Sequence, residues 1–456
     1  FAMQRTVVIN VVGLTSSLIG ESTPNIKAFA DRNRQKSIKP AFPAVTCTAQ
    51  SNMVTGRPAS EHGAVGNGWY NRDYSEVHFW KQSNAIVEKP KIWDELKGLD
   101  SSFTCAKLFW WYNMYSSVDY SITPRPMYPA DGRKFFDVYT HPMEMGSEIK
   151  KDIGSFPFHT FWGPKAGIGS SQWIAESTKW VEEKHEPTLN LIYLPLLDYN
   201  LQRLGPSHPD IGTDLEEIDQ IVGDLISFFE ARAVKVVLLS EYGISDVDRP
   251  IHINRVLREK GWITIKDELS LEQLDCGASQ AFAVADHQVA HVYINDESIR
   301  DEVRKTLEAI PGVESVLDEA GKQAMGIDHE RSGDFVVISD QRSWFTYYYW
   351  LDDAVAPDFA RCVDIHRKVG YDPVELFIDP KLKIPILKIA KFLLKKKLGF
   401  RGLLDVIPLD ASLVKGSHGR IPQSQDEWPV IISPDSLDGV SESTDLYGVI
   451  RKAVAG

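Results

Sequence analysis

The run LNLIYLPLLDYNLQRLGPSHPDIGTDLEEIDQIVGDLISFFEARAVKVVLLS, from Leu189 to Ser240, decides the fold class. Leu189–Leu194 is a short, almost wholly apolar stretch. From Asp210 to Ala233 the apolar residues fall at helical spacing, with Ile218, Ile221, Leu225 and Phe229 on one stripe, and the β-branched run Val234–Ser240 follows at once. Strand, loop, helix and strand in that order are the unit from which parallel sheets are built. Similar runs recur at Thr6–Val12, Thr104–Trp110, Ala290–Ile294 and Asp334–Ser339. Their continuous apolar character reads as parallel strands buried on both faces. The expected fold is α/β, a mostly parallel central sheet flanked by helices, with ligand sites at the carboxyl ends of its strands.

Composition narrows the function. The 456 residues carry 50 Lys+Arg against 63 Asp+Glu, a formal charge of −13, with 43% hydrophobic and 25% charged residues. Such a chain buries a substantial core and is not disordered. Its pI near 5.5 excludes a dedicated nucleic-acid binder, which needs basic charge to displace counterions. Cys47, Cys105, Cys276 and Cys362 lie far apart without a CxxC spacing. That argues against a zinc ribbon or disulfide scaffold and for a reducing, cytoplasmic setting. Met3 reads as the native start and Phe1-Ala2 as added residues, with the first strand too early for a signal segment to precede it. No uninterrupted apolar run of about 18 residues is present, so no transmembrane helix is expected.

Three stretches break the α/β rhythm. Phe109–Asp137 is dense in aromatics and proline and reads as a long ordered loop beside a pocket, with most rings packed beneath it. Past residue 245 the texture changes to short elements around the aromatic run WFTYYYW, Trp344–Trp350. Residues 246–401 are therefore expected to form an inserted cap on a core of residues 1–245 and 402–456. The cap ends in KLKIPILKIAKFLLKKKLGFR, Lys381 to Arg401, with eight basic residues and no acidic one. After Pro385 the pattern is amphipathic, with Lys388, Lys391 and Lys395 on one face and Ile386, Ile389, Ala390, Leu393 and Leu394 on another. The ordinary reading is a surface helix that packs its apolar face on the core. The alternative is peripheral contact with an anionic membrane surface or an acidic partner.

Chemistry concentrates in PAFPAVTCTAQSNMVTGRPASEHGAVGNGWY, Pro40 to Tyr70. Thr46 follows a proline-bounded extended stretch and opens a helix-compatible run. There, backbone N–H groups and the positive end of the helix dipole stabilise an attacked anion. A threonine N-cap has the same local look.

The block resembles the nucleophile region of the type I phosphodiesterase/nucleotide pyrophosphatase family, within the alkaline phosphatase superfamily. Pro43 and Thr46 match its Pro-x-x-Thr nucleophile, Thr55-Gly56 its helix-ending turn, His62-Gly63 its His-Gly, and Asn67 its phosphoryl-binding asparagine. TPN at Thr23–Asn25, LFWW at Leu108–Trp111 and INRVL at Ile253–Leu257 extend the similarity over most of the chain. The resemblance implies an alkaline-phosphatase-like core and a hydrolase that cleaves a phosphodiester or pyrophosphate bond through a phosphothreonyl intermediate. The runners-up are phosphomonoester or phosphonate hydrolysis, or a catalytically impaired protein that binds a membrane surface or a phosphate ligand. It also implies a phosphorylated small-molecule partner such as a sugar-nucleotide. A further similarity to a bacterial subgroup encoded near sugar-phosphate cyclase and prenyltransferase genes points to a cyclitol or prenyl phosphate.

The family holds two divalent metals, usually zinc, and here several ligand positions differ. The first-strand Asp position falls on Val12, which has no side-chain lone pair, with Asn10 two residues earlier on the same side. Asp198 is kept, but its His partner is Gln202; the Asp-His pair of the next strand is Glu241-Tyr242; the late His is kept as His418. An amide oxygen suits a hard cation better than zinc, and neutral tyrosine is a poor ligand. The resemblance so modified implies one tightly held ion at most, on Asp198 and His418, with zinc as the family's metal. Glu241 would be either a ligand or the base for Thr46, while Asn67 donates to a phosphoryl oxygen. Gln202, Tyr242, His287 and His291 are candidate substitutes or substrate contacts, the two histidines falling on one side of an expected strand. His208, His252 and His366 are weaker candidates of the same kind, and Trp111 would wall the leaving group.

Overall fold

A computed structural model describes residues 2–456, so of the expected added residues Phe1 lies outside the described chain. Thr6–Val11 sits inside an eight-stranded sheet ordered Arg34–Ser37, Val430–Ser433, Lys235–Leu239, Thr6–Val11, Leu189–Leu194, Cys105–Leu108, Tyr120–Pro124 and Val138–His141. The five strands from Lys235–Leu239 to Tyr120–Pro124 run parallel, and antiparallel strands close both edges. Strand alternation explains why TVVINV is buried throughout. Val7, Ile9 and Val11 pack with Ile26, Phe29, Ile174, Ile218 and Leu225 from the helices Pro24–Asp31, Ile168–His185 and Ile211–Glu230. Val8 faces the opposite layer, where Ile92, Trp93, Val449 and Ile450 come from the helices Ile92–Leu99 and Leu446–Ala455. The expected α/β fold is the one observed.

Two of the expected parallel strands belong elsewhere. Val289–Ile294 and Phe335–Ser339 pair antiparallel within a separate four-stranded sheet ordered Ala281–Asp286, Val289–Ile294, Phe335–Ser339 and Val313–Leu317. Their continuous apolar pattern arises because this small sheet is also covered on both faces. Burial sets the pattern and strand direction does not. The aromatic run Trp344–Phe345 and Tyr347–Trp350 packs in this second core, which also takes in Tyr70, Phe79, Val406, Ile407, Ala411 and Val414.

A buried ion cluster secures this second layer. The Lys368 ammonium lies 2.8 Å from Asp372 and 2.5 Å from Glu375, all three side chains almost wholly buried. Burial alone would push the lysine pKa down, but the Asp372 and Glu375 carboxylates outweigh it and raise it above the usual range. Glu375 also accepts from the Trp162 indole at 2.8 Å and from the Asp364 N–H at 3.1 Å, which ties the cluster to a neighbouring loop.

The ordinary reading of the basic helix does not hold. Pro385–Lys397 is helical but buries no residue. Pro385, Lys388, Ile389, Phe392 and Lys396 are the half-buried positions, Ile389 touching the second core and Lys388 pairing with Asp405 at 2.8 Å. Most of the apolar arc points outward, because that arc is wider than the strip of protein beneath it. Among the described residues no helix is long and apolar enough to cross a membrane.

Lys368→Met leaves two buried carboxylates without their cation, so unfolding free energy is expected to fall by roughly 3–5 kcal/mol, read from the denaturant midpoint. Converting Asp372 and Glu375 to Asn and Gln in the same chain should recover much of that loss.

Candidate active site

The carboxyl ends of the parallel strands converge as such sheets require. After Thr6–Val11 the chain turns at Gly13 with φ of +85°, where a Cβ would come within 2.9 Å of Leu201. Glycine therefore lets the helix Leu196–Leu204, which carries Asp198 and Gln202, approach the strand end. Lys235–Leu239 leads into Glu241 and Tyr242. Thr46 is the first residue of the wholly buried helix Thr46–Thr55, behind an extended Val45. Its side chain is reached by the Tyr193 and Tyr242 hydroxyls.

Glu241 is the charge problem of this site. Burial, then the neighbouring Asp198 charge, raise its pKa well above the usual carboxylate range, and the facing amides of Gln50 and Asn10 offset only part of that. Neither amide closes a well-aligned hydrogen bond on it. Both Glu241 oxygens, both Asn10 amide atoms and Gln50 Nε2 are buried without partners. Burial and the Asp198 charge thus favour the protonated form of Glu241.

Asp198 is satisfied differently. Its Oδ1 accepts from the Tyr242 hydroxyl at 2.8 Å and its Oδ2 from Gln202 Nε2 at 2.9 Å, while Gln202 Oε1 accepts from the Tyr371 hydroxyl at 3.1 Å. Burial raises the Asp198 pKa to about 6 against these bonds. Tyr242 stacks on His418 at 3.6 Å, His418 on His287 at 3.8 Å, and His287 on Tyr371 at 3.7 Å, a column of four rings. His418 lies 2.6 Å from the Ala44 carbonyl through Nδ1, so that nitrogen holds the proton. Burial lowers its pKa to about 3, leaving Nε2 with an unpartnered lone pair.

Asp198 and His418 thus both contact Tyr242, the first by a hydrogen bond and the second by stacking. Hydroxyl and amide hydrogens stand on the Asp198 oxygens where a cation would sit. Among the described residues no three His, Cys, Asp or Glu side chains group as metal ligands. These side chains do not fit the family's typical two-metal centre, and the single ion expected on Asp198 and His418 finds both Asp198 oxygens hydrogen-bonded.

Asn67 is held from a distant part of the chain. Asp286 accepts from its backbone N–H at 2.7 Å and from Nδ2 at 3.1 Å, and Asn67 Oδ1 accepts from the Cys47 N–H at 3.1 Å, one residue past Thr46. A Cβ at Gly66 would lie 2.9 Å from Asp286 Oδ2, which explains glycine there. Asp286, beside the candidate His287 and close to His291, belongs to no motif in the sequence. The contact spans 219 residues and joins two sheets, so no local pattern signals it.

Those histidines do not share a strand face. His287 lies in the hairpin turn at φ of +60°, whereas His291 accepts from the Gly333 N–H at 3.0 Å and donates to the Val65 carbonyl at 2.9 Å, a structural role. His62 likewise accepts from the Ala64 N–H at 3.0 Å. His252 and His366 bond to Thr346 and the Phe79 carbonyl, and His208 lies outside the cluster beside Asp210.

A sequence model of the type I phosphodiesterase / nucleotide pyrophosphatase family matches residues 6–372. The chain belongs to this family. An uncharacterized pyrophosphatase/phosphodiesterase of Schizosaccharomyces pombe is 24% identical over 247 residues, 52% of this chain and 42% of that protein, so the match spans under half the relative's length. Murine ectonucleotide pyrophosphatase/phosphodiesterase 5, solved as an inactive form with AMP, superposes with a TM-score of 0.58 at 15% identity, over 99% of this chain and 94% of that one. Phosphonoacetate hydrolase from Sinorhizobium meliloti 1021, solved with phosphonoacetate, gives 0.61 at 13% identity, over 99% and 96%. At such identities these structures show a shared fold.

In this type I phosphodiesterase-family chain the aromatic loop meets the Thr46–Thr55 helix where the Trp111 N–H donates to Gln50 Oε1 at 2.6 Å. Phe109, Trp110 and Tyr112 are buried. Trp111 stays half-exposed, 5.1 Å from Trp80, which lies 6.3 Å from Tyr371, itself 5.7 Å from Trp162. Trp80, Phe109, Tyr112 and Tyr115 all sit at positive φ, strain that clusters at functional sites.

Burial raises the Asp286 pKa from 3.8 to about 7. A carboxyl with a raised folded pKa gives its full contribution below the ordinary value and loses it as pH rises through the folded one. Relative to Asp286→Asn, wild type is expected to lose stability between pH 3.8 and about 7, by on the order of 4 kcal/mol. Denaturant unfolding at a series of pH values measures this, and a difference constant across the window would contradict it.

Proposed function

We propose that the chain is a hydrolase of phosphodiester or pyrophosphate bonds acting through Thr46. The observation that carries this reading is the buried Thr46 hydroxyl at a helix start, in reach of two tyrosine hydroxyls and beside an Asn67 locked by Asp286. Thr46 Oγ1 attacks phosphorus, the bond to the leaving oxygen breaks, and the threonine proton passes to ionised Glu241. The leaving oxygen takes its proton from solvent. Water then attacks the phosphothreonine, its P–O bond to Thr46 breaks, Glu241 returns the first proton to Thr46 Oγ1, and the water proton passes to the phosphoryl product or solvent. Asn67 Nδ2 has two hydrogens, and Asp286 takes one, so the other donates to a phosphoryl oxygen. The Tyr193 hydroxyl supplies a further donor, the single Tyr242 hydrogen being held by Asp198, and Trp80, Trp111 and Trp162 wall the leaving group.

A divalent ion in this reading is single. The unpartnered oxygens of Glu241 and Asn10, with the Thr46 hydroxyl, form a hard donor set that suits magnesium or calcium better than zinc. Such an ion would offset charge on the Thr46 oxygen. Residues 246–401 act as the cap on a core of 1–245 and 402–456, supplying Asp286, His287 and Tyr371. The setting is cytoplasmic, with contact of 381–401 at an anionic membrane surface.

A second reading, hydrolysis of a phosphomonoester or phosphonate, is favoured by the full-length likeness to phosphonoacetate hydrolase. Turnover assays with nucleotide, sugar-nucleotide, cyclitol, prenyl and aryl phosphates, and with phosphonoacetate, rank the two. Thr46→Ala is expected to abolish turnover of whichever substrate is used. Because only the ionised form accepts a proton, kcat/KM should rise with pH along a one-proton limb. Glu241→Gln should remove that limb and lower kcat/KM roughly 10²- to 10⁴-fold. Turnover that survives Thr46→Ala overturns the nucleophile, and the absence of any turnover by wild type leaves a phosphate-binding protein.

A further inference from the structure

The apolar side of the helix Pro385–Lys397 faces solvent. Ile386 is 73% exposed, Leu387 60%, Leu393 55% and Leu394 58%, and Lys391, Lys395 and Lys397 lie exposed around them. A helix that packed on its own protein would show the reverse. Leu398 and Phe400 extend the exposed arc past the helix end.

A second segment, distant in sequence, continues this surface. Met127 and Phe135 pair through two backbone hydrogen bonds to form a small hairpin, which holds Met127, Tyr128 and Phe136 at least half exposed. Lys396 Nζ donates to the Lys134 carbonyl at 3.3 Å and lies 5.5 Å over the Phe135 ring. The Arg401 guanidinium lies against Gly132. The two segments are therefore in contact, and each exposes apolar side chains beside cations.

We propose that this face docks on an anionic lipid bilayer, the helix lying in the interface plane with the 127–136 hairpin beside it. The inference extends the surface contact of 381–401 and rests on that part of the reading, independently of the Thr46 chemistry. Charge complementarity selects the occupant. Lys381–Arg401 carries eight cations and no anion on a chain whose total is −13, so an anionic plane attracts this face and repels the rest of the molecule, which fixes its orientation. The outward leucines and isoleucines protrude, and lysines beside them can lay their stems along the apolar layer while their ammonium groups reach the headgroups. The arrangement is the one expected of a helix lying in an interface.

The test is co-sedimentation of the full chain with vesicles of phosphatidylcholine alone and with vesicles that also contain phosphatidylserine. Wild type is expected to sediment with the serine-containing vesicles only, less as salt rises. Leu393→Asp/Leu394→Asp and Lys391→Glu/Lys395→Glu/Lys397→Glu should each weaken binding at least about tenfold, and Phe136→Asp should weaken it independently. All these side chains but the half-buried edge of the hairpin are exposed, so an unchanged melting temperature confirms folding. No sedimentation with serine-containing vesicles overturns the proposal, as does binding indifferent to Leu393→Asp/Leu394→Asp. Self-association that those substitutions dissolve, without vesicle binding, assigns the face to a second copy and also overturns it. The readout needs no turnover, so its failure leaves Thr46 untouched and an inactive Thr46 leaves it intact.

Discussion

Three buried acids, Asp198, Glu241 and Asp286, set the constraint on which the site depends. Burying a carboxylate without a cation is costly, and the ordinary escapes are a bound metal, hydrogen bonds or a proton. This chain combines the last two. Asp198 takes the Tyr242 hydroxyl and the Gln202 amide, Asp286 takes the Asn67 backbone N–H and one Nδ2 hydrogen, and burial favours the protonated form of Glu241. The exchanges at Gln202, Glu241 and Tyr242 then act together: each replaces a metal-binding group with one that bonds to, or is neutralised beside, an acid that remains.

The same constraint links the two layers. The parallel sheet supplies Thr46, Asp198 and Glu241 at its strand ends, but the antiparallel sheet supplies Asp286, and His287 and Tyr371 complete the ring column over Tyr242 and His418. Separating the layers would strip Asn67 of its anchor and Gln202 of its bond to Tyr371. The Lys368 cluster stiffens that junction from behind through Trp162, so the aromatic mouth and the buried acids share one framework.

Much of this was legible in the sequence. Leu189–Leu194 and the helix within Asp210–Ala233 stand where spacing places them, because burial on two faces writes a continuous apolar run and one-sided burial writes a stripe. The same rule misassigned Ala290–Ile294 and Asp334–Ser339, since a covered antiparallel sheet writes the same run. Thr46, Asn67, Asp198 and Glu241 were legible as candidates, through motif position. Their partners were not, because Asp286 to Asn67 and Tyr242 to Asp198 are contacts between distant segments. The amphipathic pattern of Pro385–Lys397 was legible too, but periodicity states that two faces differ and is silent on which one meets the protein.

The central claim is that protons and hydrogen bonds, in place of a metal pair, neutralise the acids around Thr46. Metal content per chain, measured after saturation with zinc and removal of free ion, tests it most directly. The structure predicts at most one ion per chain, with Asp198→Asn leaving that number unchanged because both Asp198 oxygens are already engaged. Two tightly held zinc ions, one of them lost in Asp198→Asn, would contradict it.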